Sequence, residues 1–165
     1  MTDASPWGLG AVALRHGIPI RHFVSDLTRH DYERDHHQEG DSAGQQVWEA
    51  LAILVTMMAW SDLSREGKFT ICLEGDNVTA LLMALRLQSP PGGVKEIARE
   101  LALELTKASF APIIVEHIPG TANEVADVLS RRRDPSRAQT WRLPPVLADL
   151  VPTTVPVRDS SYYFL

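Results

Sequence analysis

Between Gln45 and Trp60 the chain carries Val47, Trp48, Ala50, Leu51, Ala52, Ile53, Leu54, Val55, Met57, Met58 and Ala59, which leaves almost no polar face. A helix of this kind has to be buried on most sides, so the rest of the chain has to pack around it. Its one charge is Glu49. A carboxylate in such surroundings costs several kcal/mol unless it meets compensating charge or a metal, stays protonated, or lies in a solvated first turn. With 165 residues, 44% of them hydrophobic, the chain suits one compact domain with a substantial core. It has no internal repeat and no apolar run long enough to span a bilayer, and its start lacks the pattern of a signal peptide. Cys72 has no cysteine partner and falls in a strand-like stretch, which reads as a small core residue in an intracellular, reducing setting.

A second constraint is the stretch from Phe69 to Asn77. Phe69, Ile71 and Leu73 alternate with Thr70, Cys72 and Glu74, so a strand delivers Asp76 to its carboxyl end. Leu81, Leu82 and Leu85 then follow at helical spacing, with Asp76 or Asn77 as the cap. A junction of strand and helix is where α/β folds collect functional groups. By period alone Glu74 is a rival to Asp76.

Upstream, Gly8 and Gly10 mark a tight turn or a close backbone approach before an apolar run. His16-Gly17 predicts a hairpin turn, and Pro19 places the returning strand near an edge. Asp3 lies just ahead of this hairpin. From Asp26 to Gly44 the chain is polar and reads as a solvated loop; adjacent His36 and His37 lack the spacing of a helical metal site. Val94, Ile97, Ala98, Leu101, Leu105 and Ala108 predict an amphipathic helix whose Lys95, Glu96, Arg99 and Glu100 form a solvated face. Residues 112–118 read as the last strand. Thr121-Ala-Asn-Glu124 fits a capping box for a helix with Val125, Val128 and Leu129 inward and Asp127 beside that stripe.

Four acids therefore stand at element starts or on a buried helix: Asp3, Glu49, Asp76 and Asp127. If the fold brings them together, they form an all-oxygen site for hard divalent ions, the condition for two-metal phosphoryl hydrolysis. The net charge of −5 argues against strong independent nucleic-acid binding. Bound cations would reverse the local sign of the field.

The stretches Thr2-Asp-Ala-Ser-Pro-Trp-Gly-Leu-Gly-Ala-Val12, Glu49-Ala-Leu-Ala-Ile53, Asp76-Asn-Val-Thr-Ala-Leu81 and His117-Ile-Pro-Gly-Thr-Ala-Asn-Glu-Val-Ala-Asp-Val-Leu-Ser-Arg131 occur in that order. Together they make the chain resemble the ribonuclease H domain of retroelement reverse transcriptases, in the form carried by LTR-type and related retrotransposons. The resemblance spans most of residues 2–132. It implies an α/β ribonuclease H-like fold, with a mixed five-stranded sheet flanked by helices, over residues 1–133. It also implies hydrolysis of the RNA strand of an RNA–DNA hybrid with two magnesium or manganese ions, held by Asp3, Glu49, Asp76 and Asp127 as catalytic tetrad. Ser5, Asn77 and Asn123 become candidate substrate contacts, although the two asparagines read equally as helix caps.

The family's mobile His in the loop before the last acid is missing here. His117, at the end of the strand, is the candidate auxiliary group. Because the first acid follows the chain start so closely, an upstream polymerase domain is expected in the same polyprotein. A catalytically weak or inactive module that serves as a structural or hybrid-binding surface is the alternative. Arg131, Arg132 and Arg133 read either as phosphate contacts or as complements to a helix end. The Pro-rich residues 134–165 read as a linker or surface clamp, with Tyr162, Tyr163 and Phe164 as a frayed end or a docking element.

Overall fold

The computed structural model describes residues 1–34, 36–65, 72–77, 94–107, 114–159 and 162. Within them run β1 (Thr2–Ser5), β2 (Gly8–Arg15), β3 (Ile18–Asp26), α1 (Arg29–Arg34), α2 (Gln45–Ala59), α3 (Ser61–Arg65), β4 (Cys72–Gly75), α4 (Val94–Lys107), β5 (Ile114–His117) and α5 (Glu124–Ser130). This is a mixed α/β architecture. The helix expected directly after Asp76, the strand residues Phe69 to Ile71 and the start of the last expected strand lie outside the described residues.

β1, β2 and β3 form an antiparallel sheet in that order, and β4 and β5 form a parallel pair. The expected single five-stranded sheet is therefore not what the described residues show. β1 lies against β4, but no hydrogen-bonded ladder joins them there. β2 turns into β3 through His16 and Gly17, both with positive φ (54° and 78°), as a two-residue turn matched to strand twist requires. Pro19 sits opposite Leu14, where the register shifts, on the strand at the edge of the sheet.

Period-two alternation divides β2 between two layers. Leu9 and Ala11 join the main core with Leu51, Leu54 and Val55 of α2, while Val12 packs with Leu129 and Leu147 on the other side. α2 is buried along most of its length, with Val47 through Met57 all inaccessible, as an apolar-all-round helix requires. α4 covers α2 through Val94, Ile97, Ala98 and Leu101. α5 seats on the sheet at Gly10, where an added Cβ would lie 2.6 Å from the Ala126 carbonyl oxygen and from the Leu129 Cβ. Only a glycine admits that approach.

Three local expectations are corrected. Cys72 is exposed, because β4 turns Leu73 inward and Cys72 and Glu74 outward, as the alternation itself dictates. Glu100 is 5% exposed, not on the solvated face of α4, and accepts hydrogen bonds from Arg99 at 2.8 and 3.1 Å. The polar stretch after β3 is not simply a solvated loop. Asp31 and Tyr32 of α1 are buried, and the Tyr32 hydroxyl donates to the Pro6 carbonyl at 2.8 Å.

The carboxy-terminal segment folds back over the domain. The Trp141 indole N–H donates to the Val128 carbonyl at 2.7 Å, and Leu147 is fully buried against Val12 and Leu129. The Thr153 backbone N–H donates to the His22 carbonyl at 2.8 Å, which occupies one acceptor on the β3 edge. Arg158 is buried against Asp31, and Tyr162 belongs to the main core. Burial pushes the Tyr162 hydroxyl up to about 12. No helix among the described residues is long and apolar enough to cross a membrane.

Candidate functional site

Asp3 is the second residue of β1 and is only 4% exposed. Its carboxylate accepts from the Ser130 hydroxyl at 2.6 Å and from the Asn123 amide at 3.4 Å. Strand β1 is thereby tied to both ends of α5. Glu49, 6% exposed, stands one turn into α2. The Gln45 amide reaches it at 2.8 Å across the i, i+4 spacing and also donates to the Ala4 carbonyl at 2.7 Å. Asp76 follows β4 directly and is exposed. One carboxylate oxygen from each of Asp3, Glu49 and Asp76 lies within 4.8 Å of the others.

Asp127, in the first turn of α5, completes the neighbourhood differently. It lines an open cleft of about 460 Å³ with Asp76, Gly120, Thr121 and Glu124. Its charge reaches Asp3, but both of its oxygens are engaged by cations: Arg131 Nε at 2.5 Å and Arg137 at 3.3 Å. The structure thus brings three of the four expected acids into one cluster and sets the fourth beside them, already paired.

Burial pushes the Asp3 carboxyl up to about 7; the charges of Asp127 and Asp76 add to the shift, while the Ser130 hydrogen bond and Arg131 oppose it. The Glu49 carboxyl is raised well above its ordinary range, chiefly by burial and then by Asp3 and Asp76. Such a cluster holds more negative charge than its surroundings balance, and a divalent cation is the partner that suits it. The donors are all carboxylate oxygens, the preference of hard ions. Asn123, whose amide nitrogen faces Asp3, is fully buried, and its Oδ1 has no hydrogen-bond partner among the described residues. The three carboxylates could hold a hard divalent cation.

The raised Asp3 carboxyl has a consequence for stability in the ion-free protein. The folded state keeps this proton up to about pH 7, whereas the unfolded chain releases it near 3.8. Between those values the folded state binds more protons, so this group's contribution to stability declines as pH rises from about 4 to about 7 and is flat above. Glu49 acts in the same direction. In a chelating buffer the melting temperature is expected to fall between about pH 5 and pH 7, and Asp3→Asn is expected to flatten that decline. A variant whose melting temperature declines as steeply as that of the wild type would show that Asp3 is not the group responsible.

Of the remaining expected site residues, His117 is exposed and stands in register with Gly75, one strand across from the carboxyl end of β4. Asn77 is half-buried directly after Asp76. Ser5 and Asn123, expected at the substrate, are fully buried. The Ser5 hydroxyl donates to the Ser130 carbonyl at 2.7 Å, and the Asn123 amide donates to the Thr2 carbonyl at 2.9 Å. Both side chains fasten β1 to α5. The capping box expected from Thr121 and Glu124 is likewise not formed: Thr121 lies in the 3-10 turn Gly120–Ala122, and α5 starts at Glu124 after Asn123, which makes no side-chain cap bond. Glu74 belongs to a separate outward group with Cys72 and Glu116. Arg132 and Arg133 reach Asp26 at 2.8 and 3.0 Å.

Gln45, Ser130 and Arg137 were not singled out by sequence reasoning. Gln45 carried a usable signal, one helical turn before the buried acid. Ser130 and Arg137 carried none, because their partners are set by tertiary packing.

No protein-family model matches the chain, and no curated protein or solved structure is detectably similar to it.

Proposed function

We propose that the chain is a ribonuclease H-like hydrolase that cuts the RNA strand of RNA–DNA hybrids with magnesium or manganese, as part of a retroelement reverse transcriptase polyprotein. The observation that carries this reading is the convergence of Asp3, Glu49 and Asp76, from three separate elements, to within 4.8 Å beside a cleft that Asp127 lines. The order of motifs along the chain and the approach of β1 to β4 add to it; in this reading that approach is the seam of a five-stranded sheet.

At such a site divalent ions supply activation of a water for attack on phosphorus and stabilisation of charge on the leaving 3′ oxygen. The chain's own residues prepare the place. Ser130 and Asn123 fix the orientation of the Asp3 carboxylate, and Gln45 fixes that of Glu49. Asp76, exposed at the end of β4, stands between the buried pair and the cleft where a phosphodiester would lie. Selection of RNA would rest on 2′-hydroxyls and hybrid shape.

A second reading, a hybrid-binding module without turnover, is favoured by one observation: both Asp127 oxygens are held by arginines. A single assay separates the two readings. With magnesium and an end-labelled hybrid, the protein is expected to cut RNA and leave DNA intact, with 3′-hydroxyl and 5′-phosphate ends. Hybrid binding without cleavage would establish the second reading, and cleavage unaffected by a chelator would overturn the first.

A further inference from the structure

We infer that Arg137 is a substrate-phosphate ligand that is stored on Asp127 until a divalent ion takes its place; this rests on the nuclease reading. The four arginines between residues 131 and 137 divide into two sets. Arg132 and Arg133 pair with Asp26, away from the acidic cluster, whereas Arg131 and Arg137 pair with Asp127 at the cleft.

The two arginines on Asp127 are not equivalent. Arg131 holds Oδ1 across an i, i+4 helix spacing at 2.5 Å with a side chain 32% exposed, while Arg137 touches Oδ2 at 3.3 Å from outside the helix and is 43% exposed. The longer, more solvated contact is the weaker one, so it yields first to a cation.

The backbone that carries Arg137 is firmly built. Asp134, 4% exposed, accepts from the Ser136 backbone N–H at 2.9 Å and from its hydroxyl at 2.7 Å. The Arg137 N–H donates to the Asp134 carbonyl at 2.9 Å, and the Arg137 carbonyl accepts from the Trp141 N–H at 2.8 Å. The Trp141 indole anchors the turn to α5. Only the side chain is left to move, and it holds Asp127, one of the residues that line the cleft where a phosphodiester would lie.

The charges require an exchange. A divalent ion at Asp127 Oδ2 and a guanidinium at the same oxygen repel each other, and a guanidinium released there meets the next anion to arrive, the phosphate backbone. The site therefore keeps its positive charge in reserve, and a chain with a net charge of −5 still grips nucleic acid locally.

The test compares wild type, Arg137→Ala, Arg137→Lys and, as a control, Arg142→Ala, whose guanidinium donates to the Gln139 and Trp141 carbonyls. Magnesium alone is titrated by calorimetry, and an RNA–DNA hybrid is titrated in calcium across a salt series. Arg137→Ala is expected to bind magnesium more tightly than wild type, because a competitor is gone. It is expected to bind hybrid about tenfold more weakly, with the salt slope reduced by about 0.9. Arg137→Lys restores the slope, and Arg142→Ala leaves both readings at wild-type values. An unchanged slope in Arg137→Ala, or weaker magnesium binding, overturns the inference while wild-type cleavage keeps the nuclease reading intact. A wild type that neither binds nor cuts hybrid removes both.

Discussion

Asp76→Asn is expected to reduce hybrid cleavage by at least about a thousandfold, equivalent to about 4 kcal/mol of transition-state stabilisation. The substitution keeps the side chain's shape, deletes one negative charge and turns one acceptor oxygen into a donor NH2, so it tests charge and ligation with almost no change of bulk. Asp76 is the exposed member of the three-acid cluster, and its side chain contributes little to packing. The fold should therefore survive. Its charge also raises the Asp3 and Glu49 carboxyls, so without ions the variant is expected to melt at or slightly above the wild-type temperature. Loss of cleavage with retained melting temperature is the predicted pair of readings. Cleavage at the wild-type rate would remove Asp76 from the reaction.

The largest expected loss of stability belongs to a residue far from that cluster. Arg158→Ala is expected to destabilise the fold by about 3–5 kcal/mol in chemical denaturation. The Arg158 and Asp31 side chains are 1% and 0% exposed, with Arg158 Nε 3.0 Å from Asp31 Oδ2. Arg158 also donates to the Ser25 hydroxyl and to the Asp26 carbonyl, each at 2.6 Å. Asp31 accepts in addition from the Thr28 backbone N–H at 2.7 Å. Truncation to alanine removes the cation paired with a buried carboxylate, and the cost arises from that uncompensated charge. Two further variants make the reason visible. Arg158→Lys should recover little, because an ammonium cannot serve three acceptors in the planar arrangement a guanidinium offers. Arg158→Met combined with Asp31→Leu should recover most of the loss, because no buried charge remains. A loss below about 1 kcal/mol in Arg158→Ala would mean that Asp31 finds water or another donor.

Much of the framework was legible because it depends on local pattern. The apolar circumference of α2 admits no position except an interior one, and His16-Gly17 admits few conformations except a tight hairpin turn. What escaped depends on partners remote in sequence. Asp31 sits in a run of charges that reads as solvated, and Arg158, 127 residues later, supplies the buried cation beside it. Asn123 has the spacing of a cap, yet its amide turns to the Thr2 carbonyl across 121 residues. Cys72 is different, since the alternation of β4 had already placed it outward, and general preference for buried cysteine was the wrong guide.

The same division holds at the candidate site. Asp3, Glu49, Asp76 and Asp127 were recognisable by their places at element starts and on an apolar helix, while Arg137, the second arginine on Asp127, was not, because it arrives from the segment after α5.

The contact at Gly10 sets the tolerance of the whole arrangement. Where most helices rest on a sheet through interleaved side chains that can re-pack, here main chain meets main chain over one residue, with no compressible layer between them. Asp127, Ser130 and Arg131 all ride on that helix, so their separation from Asp3 is gauged directly by backbone against backbone. Any side chain larger than hydrogen at that point would move the three together, as one rigid jaw opening away from the other.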